Sequence, residues 1–120
     1  MSDLQMGAVE SRFADIIWEK EPLTAAELAK LSECELGWKK TTSYTVLKRL
    51  CDKGIFKNEG GVVTSRILRP DYYALQSEKF VKEQFGGSLP AFLAAFTSRK
   101  SLTDQELDAL RRMIDNHKED

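Results

Sequence analysis

Apolar positions recur along this chain mostly at helical spacing. Val9, Phe13, Ile16 and Ile17 fall at i, i+4, i+7 and i+8, the stripe of an amphipathic helix, with Trp18 at its end and Pro22 beyond it. Leu23-Thr-Ala-Ala-Glu-Leu28 predicts a second helix start. Thr24 and Glu27 have the spacing of a capping box, and Leu23 and Leu28 that of a hydrophobic staple. This helix is expected to reach about Leu31–Ser32, with a turn over Cys34–Trp38 that contains Gly37. A third helix is predicted from Thr41 or Thr42 to Lys53, closed by Gly54 in the left-handed conformation. At about 100° per residue, Ser43, Val46, Leu47 and Leu50 gather on one side, and Thr42, Thr45, Lys48, Arg49 and Asp52 on the other.

The period then shortens. Ile55–Lys57 and Val62–Leu68 read as two strands joined by a turn at Asn58-Glu-Gly-Gly61, and Pro70 stops the second. Helical spacing returns from Asp71 to Phe85 and breaks at Gly86-Gly87. Ser88 is placed to cap a short helix with Leu89, Phe92, Leu93 and Phe96 on one face, Pro90 sitting harmlessly in its first turn. Leu102-Thr-Asp-Gln-Glu-Leu107 repeats the earlier helix-start device, so a last helix is expected from Thr103, with Leu107, Leu110 and Ile114 along its apolar side. The expected fold is mainly α with a small β-hairpin wing. A winged helix-turn-helix occupies residues 1–70, and a C-terminal helical dimerisation region occupies residues 71–120.

Charge sharpens this picture. The net charge of -1 over 120 residues hides a segregation. Residues 1–36 carry a net of -5, residues 37–70 a net of +6, and residues 71–120 a net of -2. The basic third covers the third helix and the hairpin, the two elements that a winged helix presents to DNA. Lys39 and Lys40 lie where phosphate meets the positive end of the helix dipole. Thr41, Thr42 and Thr45 are short enough to reach base edges or thymine methyls. Lys48 and Arg49 lie further along the same face, Arg49 as a phosphate contact in preference to a guanine contact. Arg66 and Arg69 are expected on the hairpin, straddling the backbone or entering the minor groove. Trp38, an aromatic before the helix, is expected to pack under its neighbour.

The same residues exclude other classes. No run approaches the roughly 18 apolar residues of a membrane span, so no membrane insertion is expected. Met1–Glu10 lacks the basic and apolar regions of a signal peptide, which points to the cytoplasm. Cys34 and Cys51 form no metal-ligand spacing and are expected as reduced thiols. His117, the single histidine, stands in a charged tail. No phosphate loop or nucleophile elbow is present. No catalytic residues, no metal and no cofactor are expected. Tyr72, Leu75, Phe80, Phe85, Leu89, Phe92, Leu93, Phe96, Leu107, Leu110 and Ile114 make the C-terminal region too apolar to stand alone, and predict a homodimer interface.

The order and spacing of these features resemble the penicillinase and methicillin-resistance repressors. Glu10 with Ile16-Ile-Trp18 resembles that family's first-helix ending. Trp38, Thr42, Thr45, Leu47, Arg49, Leu50 and Lys53-Gly54 resemble its recognition helix. Phe85-Gly-Gly-Ser-Leu89 and Leu102-Thr-x-x-Glu-x-x-x-Leu110 are similar to its C-terminal segments. The resemblance implies a homodimeric repressor on a palindromic, double-stranded DNA operator upstream of β-lactam-resistance or related genes. It implies Thr42, Thr45 and Arg49 as DNA contacts. It also implies relief of repression by a membrane sensor protease, the matching bond being Ala95–Phe96.

Three departures stand out. Lys39-Lys40-Thr41 replaces the family's Ser-Pro-Lys, Ala95 replaces its Asn, and Leu68 stands where a Tyr is usual. The C-terminal Cys cluster of a copper-responsive branch is missing. Two other readings fit the residues: a winged-helix regulator of another family that answers to a small ligand, and a protein-interaction winged helix without DNA binding.

Overall fold

The computed structural model describes residues 4–118; the parts of the leader and tail expectations that fall on residues 1–3, 119 and 120 lie outside the described residues. The element order is α1 (Ala8–Lys20), β1 (Leu23–Thr24), α2 (Ala25–Leu36), α3 (Lys40–Asp52), β2 (Phe56–Glu59), β3 (Val62–Ser65), α4 (Arg69–Gln84), α5 (Leu89–Arg99) and α6 (Asp104–Lys118). This is a winged helix-turn-helix followed by C-terminal helices. The chain divides into two compact units between Ser77 and Glu78, within α4.

The first unit has one apolar core. α1 supplies Phe13, Ala14, Ile16 and Ile17, and α3 supplies Val46, Leu47 and Leu50. Leu23, Leu28, Ile55, Phe56, Val63 and Tyr72 complete it. The stripe expected on α1 is therefore buried from Phe13 onward, while Val9 is half exposed at the helix start. Trp38 stacks on Phe13 with ring centroids 5.0 Å apart. Trp18 lies against Phe56 and Tyr72, and its indole N–H donates to the Ile67 carbonyl at 3.0 Å. Buried indoles need such a partner, because an unpaired donor out of water is costly.

The start of α2 is built as the residues imply. Glu27 N–H donates to Thr24 Oγ1 and Thr24 N–H donates to Glu27 Oε1, both at 3.0 Å. Leu23 does more than staple, since Leu23 and Thr24 form a strand on Val63 and Val62. The sheet therefore has three antiparallel strands in the order β1-β3-β2. A two-residue strand carries no period for the sequence to reveal. α2 also runs past Ser32 to Leu36. The buried Ser32 hydroxyl donates to the Leu28 carbonyl at 2.8 Å, so it is satisfied inside the helix and does not end it. Gly37, at φ 70°, ends it instead.

The wing turns on Gly60-Gly61. Both φ values are positive, 59° and 89°, as a two-residue hairpin loop of this hand requires. Asn58 Oδ1 accepts from Gly61 N–H at 3.0 Å and ties the loop. β3 is shorter than expected, ending at Ser65. Beyond it the Arg66 and Ile67 N–H groups both donate to the Ile55 carbonyl, at 2.8 and 3.2 Å, so the regular ladder stops there. α4 then begins at Arg69, with Pro70 in its first turn, where its missing N–H costs nothing.

Within the second unit, Ser88 Oγ caps α5 by accepting from Ala91 N–H at 3.1 Å. Thr103 and Glu106 repeat the capping box at the start of α6, at 2.8 and 3.1 Å. Phe80, Phe85, Phe92 and Phe96 form a chain of ring contacts 5.5–6.3 Å apart. Among its described residues none is buried. No helix of the described residues is long and apolar enough to cross a membrane.

Candidate nucleic-acid interface

α3 buries Ser43, Val46, Leu47 and Leu50 and leaves Thr41, Thr42, Tyr44, Thr45, Lys48 and Arg49 exposed. The split follows from the pattern: every apolar residue of the helix centre faces the core, so the hydroxyls and cations are turned outward. Its N-terminus is arranged for an anion. The N-cap residue is Lys39, which makes no side-chain cap, and the first turn holds no acid. The free first-turn N–H groups and the positive dipole end thus share one spot with the exposed Lys39 and Lys40. The Lys40 ammonium also sits over the Tyr44 ring, 5.8 Å from its centroid. Thr45 Oγ1 donates to the Thr41 carbonyl at 2.9 Å. Its proton is committed, and the oxygen can act toward a base only as an acceptor, suited to an adenine or cytosine amino group.

Arg49 is held at its inner side. Its Nη1 lies 3.5 Å from Glu10 Oε2, an ion pair between α3 and α1. On the wing, Lys57 pairs with Glu59 at 2.9 Å, and this hydrogen bond and charge hold the Glu59 carboxyl below the usual carboxylate range. Arg66 is exposed just beyond β3. Burial pushes the Cys51 thiol up and Asp52 adds to this, while the charge of Arg66 lowers it; the Arg66 N–H donates to the carbonyl of Ile55, just past the end of α3. The wing root is locked to α1's C-terminal cap residue: Glu21 Oε1 accepts from Ser65 N–H and Oγ–H at 2.8 and 2.9 Å.

The fold thus brings Lys39, Lys40, Thr41, Thr42, Thr45, Lys48 and Arg49 onto one helix face or its cap, with Arg66 near its far end. Arg69 does not join them. It opens α4, and its guanidinium donates to the Asp15 carbonyl at 3.2 Å, pairs with Asp15 and Glu19 at 3.4 and 3.7 Å, and lies 5.7 Å from the Trp18 ring. The expectation of Arg69 on the hairpin is corrected because β3 ends at Ser65 and α1 presents acids to the chain that follows.

Glu10 and Glu21 are absent from the sequence-based candidates. Glu10, in a first helical turn, reads as a dipole partner and Glu21 as an acid just past a helix end, and nothing local signals that each meets a residue some forty positions away.

Of the expected dimerisation residues, Tyr72 is corrected: it is buried in the first unit, and its hydroxyl donates to the Leu4 carbonyl at 2.9 Å. An aromatic this early in α4 fills the seam beside Trp18. Leu75, Phe80, Leu89, Phe96 and Ile114 are exposed, while Phe85, Phe92, Leu93, Leu107 and Leu110 are half-buried. Between α5 and α6 an apolar cavity of about 480 Å³ is lined by Leu89, Leu93, Leu110, Met113, Ile114 and His117. Among the described residues no cluster of three His, Cys, Asp or Glu is placed to hold a metal ion.

A family description, penicillinase repressor, matches residues 6–116, which takes in both units. The chain belongs to the penicillinase repressor family. Among its relatives is a protein named penicillinase repressor from Bacillus licheniformis, 26% identical over 118 residues, 95% of this chain and 92% of that one. Another is the methicillin resistance regulatory protein MecI from Staphylococcus aureus (strain Mu50 / ATCC 700699). It is 22% identical over 114 residues, 92% of this chain and 93% of that one. The match of this penicillinase repressor family member to both relatives is thus nearly end to end.

Proposed function

We propose that this chain is a DNA-binding transcriptional repressor that acts in the cytoplasm as a homodimer on a palindromic operator. One observation carries the reading. α3 turns a continuous hydroxyl-and-cation face outward from an acid-free N-terminus, in a member of the penicillinase repressor family. Thr41, Thr42 and Thr45 face base edges, and Lys39, Lys40, Lys48, Arg49 and Arg66 face phosphates. The names of the relatives support control of β-lactam-resistance or related genes.

The exposed Leu89, Phe96, Met113 and Ile114 support a second copy as the partner of the C-terminal helices. Burying them against a twin is what an obligate, apolar homodimer interface does. Dimerisation would also place two recognition helices one DNA turn, or a multiple of it, apart. The reading includes relief of repression by a membrane sensor protease at Ala95–Phe96. Both residues are exposed on α5.

The test is a mobility-shift series with the DNA immediately upstream of the chain's own coding sequence. Binding should weaken steeply with salt, by about 0.9 in log-log slope for each phosphate neutralised. Thr45→Ala with Arg49→Ala should abolish the specific complex. Affinity unchanged from low to moderate salt sinks the reading. The 480 Å³ cavity favours a second reading, a regulator that answers to a small apolar ligand, since pockets of this size hold such molecules. An apolar compound that releases DNA from the intact dimer would select it.

A further inference from the structure

Glu10 of α1 and Arg49 of α3 form a pair with an uneven exposure. Glu10 Oε2 is sealed from solvent and accepts no hydrogen bond from any described residue. The Arg49 side chain keeps 51% of its surface exposed, against 23% for Glu10. At 3.5 Å, Nη1 is the guanidinium corner turned to the carboxylate. A guanidinium is a planar fork with five N–H donors, so one side can face a carboxylate while another receives an oxyanion.

The energetics decide which group moves when DNA arrives. If Arg49 swung away to reach a phosphate, it would leave a buried carboxylate oxygen without its counter-charge, and uncompensated buried charge is strongly unfavourable. Arg49 therefore stays, and the phosphate comes to it. Thr42 and Arg49 stand seven residues apart on α3, on the same edge of its exposed face, the edge turned toward α1. From that edge the long Arg49 side chain reaches the backbone beside the groove.

We propose that Glu10 is a positioning residue for DNA binding. Its carboxylate holds the Arg49 guanidinium against α1, so that the outward N–H groups take one backbone phosphate per protomer. This rests on the DNA-binding reading above. It gives α1, an element with no expected DNA contact of its own, a defined part in the affinity. It also explains why lysine should not replace Arg49: an ammonium is a point charge and lacks the second edge.

The test uses the full chain and a fluorescent duplex covering the DNA immediately upstream of its own coding sequence, with anisotropy read across a salt series. Arg49→Ala and Glu10→Ala should each weaken binding about tenfold. Each should make the salt slope shallower by about 0.9 per protomer engaged. The double variant Glu10→Ala/Arg49→Ala should be no weaker than Arg49→Ala alone. Glu10→Gln, whose carbonyl oxygen keeps a partial negative charge beside the guanidinium, should lose less than Glu10→Ala and decides the matter if the alanine variant does not fold. Tighter binding or a steeper slope in Glu10→Ala overturns the proposal, because Glu10 would then compete with phosphate. A lower melting temperature with affinity and slope unchanged also overturns it, leaving Glu10 only structural. If the unaltered chain binds but the variants match it, this inference alone fails; if the unaltered chain does not bind, the DNA-binding reading fails with it.

Discussion

Arg69 looks from its sequence position like a DNA contact, and its surroundings say that it is a structural clasp. Arg69→Ala removes three kinds of contact at once: the hydrogen bond to the Asp15 carbonyl, the ion pairs to Asp15 and Glu19, and the guanidinium over Trp18. The side chain is 36% exposed, so solvent weakens each term. The ion pairs are worth a few tenths of a kcal/mol each, and the ring contact about 0.5–1 kcal/mol. With the hydrogen bond, the loss comes to about 2 kcal/mol. For a winged unit of this size, that lowers the melting temperature by roughly 8 °C or more. The assay pairs thermal unfolding by circular dichroism with the salt dependence of DNA binding on the same preparation. Stability should fall while the salt slope stays as it was, whereas Lys48→Ala should do the reverse. An Arg69→Ala protein that melts normally and loses about 0.9 in slope per protomer would refute the assignment and return Arg69 to the DNA.

Three further outcomes follow from particular contacts. Ser43 is buried on α3 and its hydroxyl has no partner among the described residues; Ser43→Ala should therefore raise the urea midpoint, by about 1 kcal/mol in stability. Ile114→Asp, placed on the exposed apolar side of α6, should turn the proposed homodimer into a monomer in sedimentation and weaken binding to the proposed operator; a dimer that persists unchanged argues against that interface. Glu27 and Glu106 have carboxyls held below the usual range, chiefly by hydrogen bonds from the backbone of Thr24 and Thr103. Because their folded values are depressed, the stability they add is present above the ordinary carboxylate range and is lost as pH falls through the lowered values. Glu27→Gln with Glu106→Gln should accordingly flatten the acid limb of melting temperature against pH, and an identical limb would contradict it.

Most of the helices were legible because their signals are local. A capping box needs four residues, and Thr24–Glu27 and Thr103–Glu106 both close as their spacing implies. The same holds for the buried stripe Ser43, Val46, Leu47 and Leu50, which orients α3 without reference to the rest of the chain. The errors lie where a neighbour decided. Leu23-Thr24 became a strand only because Val62 and Val63 lie alongside. Ser32 continued its helix because the Leu28 carbonyl took its proton. Tyr72 and Arg69 both left their expected roles for the surface around Trp18.

What the sequence by itself determined is therefore the set of helices, the outward face of α3 and the segregation of charge, since each depends on residues within a turn or two of one another. Which cations on that basic stretch remain free is a different kind of question. Arg49 and Arg69 carry the same charge in the same third of the chain, yet one keeps an exposed edge beside Glu10 while the other is folded over Trp18 between two acids. Ion pairing depends on separations of a few ångströms between residues dozens of positions apart, and only the tertiary structure sets those separations.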